Sequence, residues 1–245
     1  MKKLVLFFLL WPVGLRAQTI RVAVAANAQF VMEKLRMEFQ KKTGITVESI
    51  VSSSGKLTTQ IQQGAPYDVF LSADMNYPET LFRQKLTQQA PLVYAYGTLV
   101  LWTMGNLPLS ADLKMLQNPA VRHIAIANPA KAPYGEAAES VLKQARLPQS
   151  IRTKIVYGES IAQVNQYILS RSAEVGFTAK SVVLDSSLKE RGHWLELPSK
   201  SYSPIAQGVV VLKRTSESKA AQEFVQFLRG PNARRILQQF GYRVP

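Results

Sequence analysis

Short apolar runs alternate with amphipathic stretches along most of the chain. Ile20–Ala25 is a mostly apolar run, which predicts a buried strand, and a helical pattern follows from about residue 30 to Thr43, where Gly44 ends it. The pattern then predicts a strand, a helix and a strand at Thr46–Val51, Leu57–Gln63 and Val69–Leu71. Repeated strand–helix–strand units indicate a parallel sheet with helices on both faces.

The same alternation begins again near residue 120. The predicted strands are His123–Ala127, Ile155–Tyr157, Val175–Thr178 and Gln207–Leu212, and the predicted helices cover 135–144, 160–169, 219–228 and a short stretch that ends at Phe240. Two lobes joined by two crossings, Tyr94–Trp102 and Ser199–Pro204, fit this order better than one sheet. We therefore predict an α/β fold with two lobes, each a mostly parallel sheet flanked by helices. Residues 18–95 and 205–245 are assigned to lobe 1, and residues 96–204 to lobe 2.

The first 17 residues have the layout of a secretory signal peptide. Lys2 and Lys3 form a basic start, Leu4–Trp11 follows as an uncharged apolar run, and cleavage is expected after Ala17. The run is too short for a bilayer, which needs about 20 apolar residues. No cysteine follows it that could carry a lipid anchor. The sequence therefore predicts an exported, soluble protein with residues 1–17 as its signal peptide.

The chain is strongly basic, with 30 Lys and Arg against 16 Asp and Glu and a net charge of +14 over 245 residues. Loss of residues 1–17 would remove Lys2, Lys3 and Arg16 and leave +11. A nucleic-acid or membrane binder usually gathers such charge in one block or on one helical face. Here the cations are dispersed, and no basic run alternates with aromatic residues as a stacking platform would. The charge therefore predicts a solvated basic surface and no nucleic-acid partner.

The scarcity of two residue types excludes several kinds of site. Without cysteine the chain cannot form disulfides, thiolate zinc sites or iron–sulfur clusters, and two histidines cannot build a multi-histidine metal site. Gly55-Lys56 lacks the rest of a P-loop, because Leu57 stands where Ser or Thr is required. A Ser-His-Asp triad would need His123, which opens a predicted strand, or His193, which we expect in a surface turn. We therefore expect no cofactor, no directly bound metal cation and no enzymatic activity.

Four strand-to-helix junctions carry the candidate chemistry. In open α/β sheets, ligands bind beyond the carboxyl ends of strands, at helix N-termini. The four junctions are Ala26-Asn27, Ser52–Gly55, Pro133–Gly135 and Gly158–Ile161. Each offers backbone N–H groups where the helix dipole favours negative charge, so together they could hold an oxyanion without a counter-charge. The alternative is that Asn27, Ser54 and Ser160 are ordinary N-caps.

At these junctions the sequence resembles the periplasmic molybdate-binding proteins of ABC transporters. The resemblance covers essentially the whole chain after residue 17, and its most specific part runs from the Ser-rich loop to Ser72-Ala73-Asp74. The segments that carry it are 24–27 (Val-Ala-Ala-Asn), 52–57 (Ser-Ser-Ser-Gly-Lys-Leu), 60–74, 128–129 (Asn-Pro), 133–135 (Pro-Tyr-Gly), 230–231 (Gly-Pro) and 240–242 (Phe-Gly-Tyr).

This resemblance implies a type II periplasmic binding fold that closes on molybdate or tungstate in the cleft between the lobes. It further implies a periplasmic protein that delivers this ligand to the membrane permease of an ABC transporter, and we expect a monomer. By position, Ser54 would give its hydroxyl and amide to the oxyanion. Asn27, with the backbone amide of Ala26 or Asn27, would occupy the position after the first strand. Tyr134 would contribute from the Pro-Tyr-Gly turn, in place of a Tyr that some members carry in another loop, and Ile161 would offer its backbone amide.

The chemistry of the residues agrees with a dianion. A fully deprotonated tetrahedral dianion presents only acceptors, so a site made of donors suits it, whereas protonated phosphate would need a carboxylate to accept its O–H. Glu159 is the one acid in these loops, and we expect it to point outward because an inward carboxylate would repel a dianion. The alternatives are sulfate, phosphate or a small organic acid as the ligand and, from the enzyme class, a secreted hydrolase acting on an anionic substrate.

Overall fold

The structure is a computed structural model, and it describes residues 18–245; the predicted signal peptide, residues 1–17, lies outside the described residues. The strands are β1 (Thr19–Ala25), β2 (Thr46–Ser52), β3 (Val69–Ser72), β4 (Leu92–Gly97), β5 (Leu99–Thr103), β6 (Ile124–Ala127), β7 (Ile155–Gly158), β8 (Val175–Ala179), β9 (His193–Glu196) and β10 (Ile205–Val211). The helices are α1 (Gln29–Thr43), α2 (Ser54–Gln62), α3 (Asn76–Arg83), α4 (Pro133–Gln144), α5 (Ile161–Leu169), α6 (Lys180–Val183), α7 (Ser218–Arg229) and α8 (Pro231–Gln239). Within residues 18–245, no helix is both long enough and apolar enough to cross a membrane.

The strands form two sheets of five, in the orders β2-β1-β3-β10-β4 and β7-β6-β8-β5-β9. In the first sheet β10 is antiparallel to both of its neighbours, and in the second sheet β5 is antiparallel to both of its neighbours. Four strands of each sheet therefore run in one direction and one runs against them. Helices flank both sheets, and the predicted fold class is confirmed. We call the first sheet with its helices lobe 1 and the second lobe 2.

Lobe 1 has a core on each face of its sheet, which explains the apolar character of its strands. Val22 and Val24 of β1 pack on the side of α1, α7 and α8, together with Phe39 of α1. Ala23, between the two valines, packs on the opposite side with Leu57 of α2. Successive side chains of a strand point to opposite faces, so a strand covered on both faces must be apolar at nearly every position.

The core of lobe 2 reaches across to lobe 1. It is built around Trp102, Phe177 and Val164, which are 0–1% exposed, and the same cluster contains Ala25 and Ala73 from the ends of β1 and β3. The carboxyl ends of β1 and β3 therefore abut lobe 2. Because parallel strands end at the same edge of a sheet, this edge is where the loops of lobe 1 approach those of lobe 2.

Two stretches of chain connect the two sheets. β4 ends at Gly97 in the first sheet and β5 begins at Leu99 in the second, so Thr98 alone separates them. The return runs from Glu196, the end of β9, to Ile205, the start of β10. The exact division of residues between the lobes stays a prediction.

Several element boundaries differ from the prediction. Helix α2 begins at Ser54 rather than near Leu57, and α3 (Asn76–Arg83) was not predicted at all. The predicted surface turn at His193 is wrong, because His193 begins β9 and pairs with Thr103. The predicted end of α1 is correct: Gly44 adopts the left-handed conformation, with φ 76°, and its N–H donates to the Gln40 carbonyl.

Candidate functional site

Ser54 lies at the first position of α2 and is 1% exposed. Its Oγ accepts a hydrogen bond of 3.0 Å from the backbone N–H of Ala73, which follows β3. A serine hydroxyl has one hydrogen to donate, and this contact uses the oxygen only as an acceptor. The Ser54 O–H therefore keeps its donor for another partner, as an oxyanion site requires.

Ala26 and Asn27 form a short 3-10 turn after β1 and are 3% and 1% exposed. The Asn27 side chain donates both hydrogens of Nδ2 inside the protein, to Gln207 Oε1 at 2.8 Å and to the Tyr242 hydroxyl at 3.0 Å. Its Oδ1 is buried and has no partner among the described residues. Both side-chain donors of Asn27 are therefore used within the protein, so its backbone N–H is the donor left for an anion. That Asn27 binds the ligand stays a prediction.

Tyr134 lies in the first turn of α4 and is 2% exposed. Burial raises the pKa of its phenol well above the ordinary value, so the hydroxyl stays protonated at neutral pH and can donate. The hydroxyl sits against the backbone of Gly97 at the end of β4, and a methyl group added there would overlap it. Because Gly97 has no side chain, the Tyr134 phenol of lobe 2 can pack against lobe 1.

Ile161 is the first residue of α5 and is 3% exposed. The first N–H groups of a helix have no acceptor within that helix, so the amide of Ile161 can bind an anion. Glu159, two residues earlier, has a side chain that is 67% exposed, as predicted, and its Oε2 lies 3.8 Å from Lys56 Nζ. Both ionised groups are therefore at the solvent-exposed rim of the site.

Ordinary capping does not account for these side chains. Asn27 lies inside its 3-10 turn and makes no capping bond, and Ser160 occupies the N-cap position of α5 without a side-chain bond. The N-cap of α2 is Ser53, whose Oγ accepts from Lys56 N at 3.4 Å, and not Ser54. None of the three side chains therefore makes the capping hydrogen bond that would be the simplest structural explanation for it.

Hydrogen bonds join the two lobes around these loops. Gly55 N donates to the Lys131 carbonyl at 3.0 Å, and the Tyr77 hydroxyl donates to the Ala130 carbonyl at 3.2 Å. From lobe 2, the Ser181 hydroxyl donates to the Asn27 carbonyl at 2.7 Å. The lobes are therefore closed on one another, and the junctions at Asn27 and Ser54 on lobe 1 face lobe 2.

Neither histidine contributes to this site. His123 N donates to Glu174 Oε2 at 2.7 Å, and His193 Nε2 lies 2.7 Å from the Leu107 carbonyl on the exposed surface of lobe 2. Among residues 18–245 there is no group of three or more His, Cys, Asp or Glu that could hold a metal ion. The described residues thus bring no catalytic histidine to Ser54.

Sequence reasoning missed three residues that surround Asn27. They are Gln207 of β10, Ser181 of α6 and Tyr242 near the C-terminus, which are 0%, 3% and 3% exposed. Burial raises the pKa of Tyr242 to about 12, so its hydroxyl stays protonated. Gln207 had a signal in the sequence, since it is the one amide in the otherwise apolar run from Ile205 to Val211. Ser181 had none.

Comparisons with known proteins agree over the whole described chain. Residues 20–243 match the family described as bacterial extracellular solute-binding protein. Molybdate-binding protein ModA of Azotobacter vinelandii is 37% identical over 228 residues, or 93% of this chain and 90% of that protein. Molybdate-binding protein ModA of Rhodobacter capsulatus is 37% identical over 92% of this chain and 88% of that protein. The solved structure of the Azotobacter vinelandii periplasmic molybdate-binding protein aligns with a TM-score of 0.87 at 36% identity, covering 92% of this chain and 99% of that chain.

Asp74 is a carboxylate between the lobes whose ionisation is unfavourable. Its Oδ1 accepts from the Ser72 hydroxyl at 2.9 Å and from Tyr77 N at 3.3 Å. Burial raises the pKa of Asp74 to about 6, and the negative charges of Glu136 on lobe 2 and Glu79 on α3 add to the rise. Ionised Asp74 therefore costs the closed, folded protein free energy.

We predict that Asp74→Asn raises the free energy of unfolding at pH 7.5 by on the order of 1–2 kcal/mol and changes it little at pH 4. Between pH 4 and 6 the unfolded carboxyl ionises while the folded one stays protonated, so wild-type stability falls through that window and the asparagine variant does not share the loss. Urea denaturation at both pH values measures this. Asp112→Asn is the control with the opposite sign, because a hydrogen bond from Ser110 lowers the pKa of Asp112. An equal effect of Asp74→Asn at both pH values would contradict the prediction.

Proposed function

The chain belongs to the family of bacterial extracellular solute-binding proteins, and on that premise we propose that it captures molybdate or tungstate between its two lobes and delivers it to the membrane permease of an ABC transporter. The relatives described as molybdate-binding cover nine-tenths of the chain and both lobes. We further propose that the protein is periplasmic, that residues 1–17 are its cleaved signal peptide, and that it acts as a monomer without enzymatic activity.

The observation that carries the proposal is the chemistry of the five candidate residues. Ala26, Asn27, Ser54, Tyr134 and Ile161 are each at most 3% exposed, and none is charged. They lie at strand ends and helix starts, where backbone N–H groups lack helical acceptors. Removed from water, such donors interact strongly with a dianion, because the local dielectric is low. We assign the oxyanion to these five residues.

Two features favour a deprotonated dianion over phosphate. The Ser54 and Tyr134 hydroxyls can donate, and Glu159, the one acid in the four junction loops, is exposed and lies 3.8 Å from Lys56 Nζ. Phosphate with a proton would leave that O–H without a carboxylate acceptor. Sulfate shares the charge and shape of molybdate, so the choice between them rests on the similarity to molybdate-binding relatives.

The hydrolase alternative lacks a base for its nucleophile. A catalytic serine needs a histidine or another base within hydrogen-bond reach. The His123 ring lies 3.8 Å from Glu174 Oε2 and the His193 ring contacts the Leu107 carbonyl, both on lobe 2. The hydroxyl oxygen of Ser54 accepts its hydrogen bond from the backbone N–H of Ala73. The arrangement supports binding rather than bond cleavage.

Thermal-shift and calorimetric titrations of residues 18–245 with sodium molybdate, tungstate, sulfate and phosphate at equal ionic strength test the function. We expect the first two alone to raise the melting temperature, because a ligand at 100 times its Kd stabilises the folded state by about 2.7 kcal/mol. Equal shifts with sulfate or phosphate would assign another oxyanion, and the absence of any shift would refute oxyanion binding.

Ser54→Ala should weaken molybdate binding by about 1–3 kcal/mol, the cost of losing a hydrogen bond to a buried charged group. Ser53→Ala is the matched control, since Ser53 is the neighbouring hydroxyl and caps α2 at its N-terminus. Its loss should lower the melting temperature and leave the affinity near that of the wild type. Equal affinity of the wild type and Ser54→Ala, measured by calorimetry, would remove Ser54 from the site.

Gly97→Ala should weaken molybdate binding about as much as Tyr134→Phe, because the added methyl group displaces the Tyr134 hydroxyl. In the double variant the overlap with the hydroxyl is gone, and the remaining tight contacts of the methyl group, with the ring carbon Cζ of residue 134 at 3.0 Å and with Gln207 Nε2 at 3.1 Å, need only small shifts. Its affinity should therefore be close to that of Tyr134→Phe alone. Gly105→Ala is the control: a methyl group there meets only the Thr103 Oγ1, at 3.8 Å. Additive losses in the double variant would show that Gly97 acts independently of Tyr134.

A further inference from the structure

Gln207 is a fully buried amide in an apolar strand, and all its hydrogen-bonding groups are used. It is 0% exposed and lies in β10, at the point where the pairing with β4 shifts register. Its Nε2 donates to the carbonyls of Ala73 and Ile205, both at 3.1 Å, and its Oε1 accepts from Asn27 Nδ2 at 2.8 Å. A buried amide with these bonds connects three separate segments of lobe 1.

These bonds determine the orientation of both amides. Backbone carbonyls can only accept, so the Nε2 of Gln207 must face Ala73 and Ile205, and its Oε1 must face Asn27. Asn27 must then present Nδ2 to that oxygen, because two carbonyl oxygens cannot share a hydrogen bond. The reversed Asn27 amide would place its oxygen against Gln207 Oε1. Gln207 therefore fixes which way the Asn27 side chain points.

Through Ala73, Gln207 also reaches the second junction of lobe 1. The carbonyl of Ala73 accepts from Gln207, while its N–H donates to Ser54 Oγ at 3.0 Å. One continuous series of contacts thus joins Asn27, Gln207, Ala73 and Ser54. The two junctions come from strands β1 and β2, and the residue that ties them together comes from β10, which begins where the chain returns from lobe 2.

We propose that Gln207 is the positioning residue of the oxyanion site, which holds the Asn27 turn and the Ser54 hydroxyl in one fixed geometry without contacting the ligand. This inference rests on the proposed function, since it concerns the same site. Its physical basis is that both loops end in donors whose directions matter, and a hydrogen bond to a developing or full negative charge weakens steeply when it is misaligned.

Gln207→Glu tests the inference through pH. The two side chains have nearly the same shape, but an ionised glutamate cannot donate to the carbonyls of Ala73 and Ile205 and would face them as a third acceptor. Protonated glutamic acid can donate to one of them and so restores part of the geometry. Burial without a cation raises the pKa of a carboxyl group, which brings this change into an accessible range.

We expect the molybdate affinity of Gln207→Glu, taken as a ratio to the wild type at the same pH, to fall at least tenfold more at pH 8 than at pH 5.5. Asp74, the next residue after Ala73, and its neighbour Glu136 titrate in both proteins, so the ratio cancels their effect. Tyr134 and Tyr242 keep raised pKa values and stay neutral over this range. The control Gln222→Glu, on the exposed surface of α7, should keep the wild-type affinity at both pH values.

Gln207→Met provides a second test, because it removes every polar atom without adding charge. It should lower molybdate affinity by a similar factor at both pH values. The melting temperature of the variant shows whether it is folded, and we expect the loss of affinity in the folded variant. A merely structural Gln207 would instead give a lower melting temperature with wild-type affinity in Gln207→Met, or a pH-independent ratio in Gln207→Glu, and either result would overturn the inference. Failure of the wild type itself to bind molybdate would refute the proposed function and is read separately from these ratios.

Discussion

The hydrogen bonds around Asn27 are the constraint on which the closed arrangement depends. Its side-chain amide donates to Gln207 and Tyr242, two residues far along the chain in lobe 1, and its backbone carbonyl accepts from the Ser181 hydroxyl of lobe 2. Each group is buried, so a lost partner would leave a polar atom without water or protein to satisfy it. The turn after β1 is therefore held from three directions, and its backbone N–H groups have little freedom to move. A ligand bound there meets donors that are already oriented, which reduces the entropy lost on binding.

The electrostatics of the site differ from those of the protein surface. The surface carries the excess of positive charge, while the five candidate residues are neutral and the nearest ion pair, Lys56 with Glu159, is exposed. A buried cation would bind many anions strongly, and it would be costly to bury in the empty state. Neutral donors avoid that cost and hold a dianion through hydrogen bonds, whose directions discriminate shape and protonation. The dispersed surface charge adds only weak, long-range attraction for anions, which salt screens.

The sequence predicted the repeating elements more reliably than their ends. The apolar strand β1 and helix α1 were predicted to within a residue because burial on both faces of a sheet and a left-handed glycine leave clear patterns. Helix α3, by contrast, begins without a side-chain cap and covers only two turns. Its start is instead ordered by Asp74, which accepts a hydrogen bond from Tyr77 N. A single contact within a loop produces no periodic pattern of apolar residues, so the sequence pattern did not predict this helix.

By itself, the sequence determined the two α/β lobes, the strand-to-helix junctions to which we assign the oxyanion, and the neutral, donor-rich character of those junctions. These follow from local rules: strand and helix periodicity depends on near neighbours, and a parallel strand always delivers its end to the same edge. Only the tertiary structure decided what each junction residue does. Ser53, not Ser54, caps α2. The side-chain amide of Asn27 donates to Gln207, and Gly97 leaves space for the Tyr134 hydroxyl. The last two contacts join residues that are 180 and 37 positions apart. Contacts at that separation are set by packing, which leaves no spacing in the sequence to read.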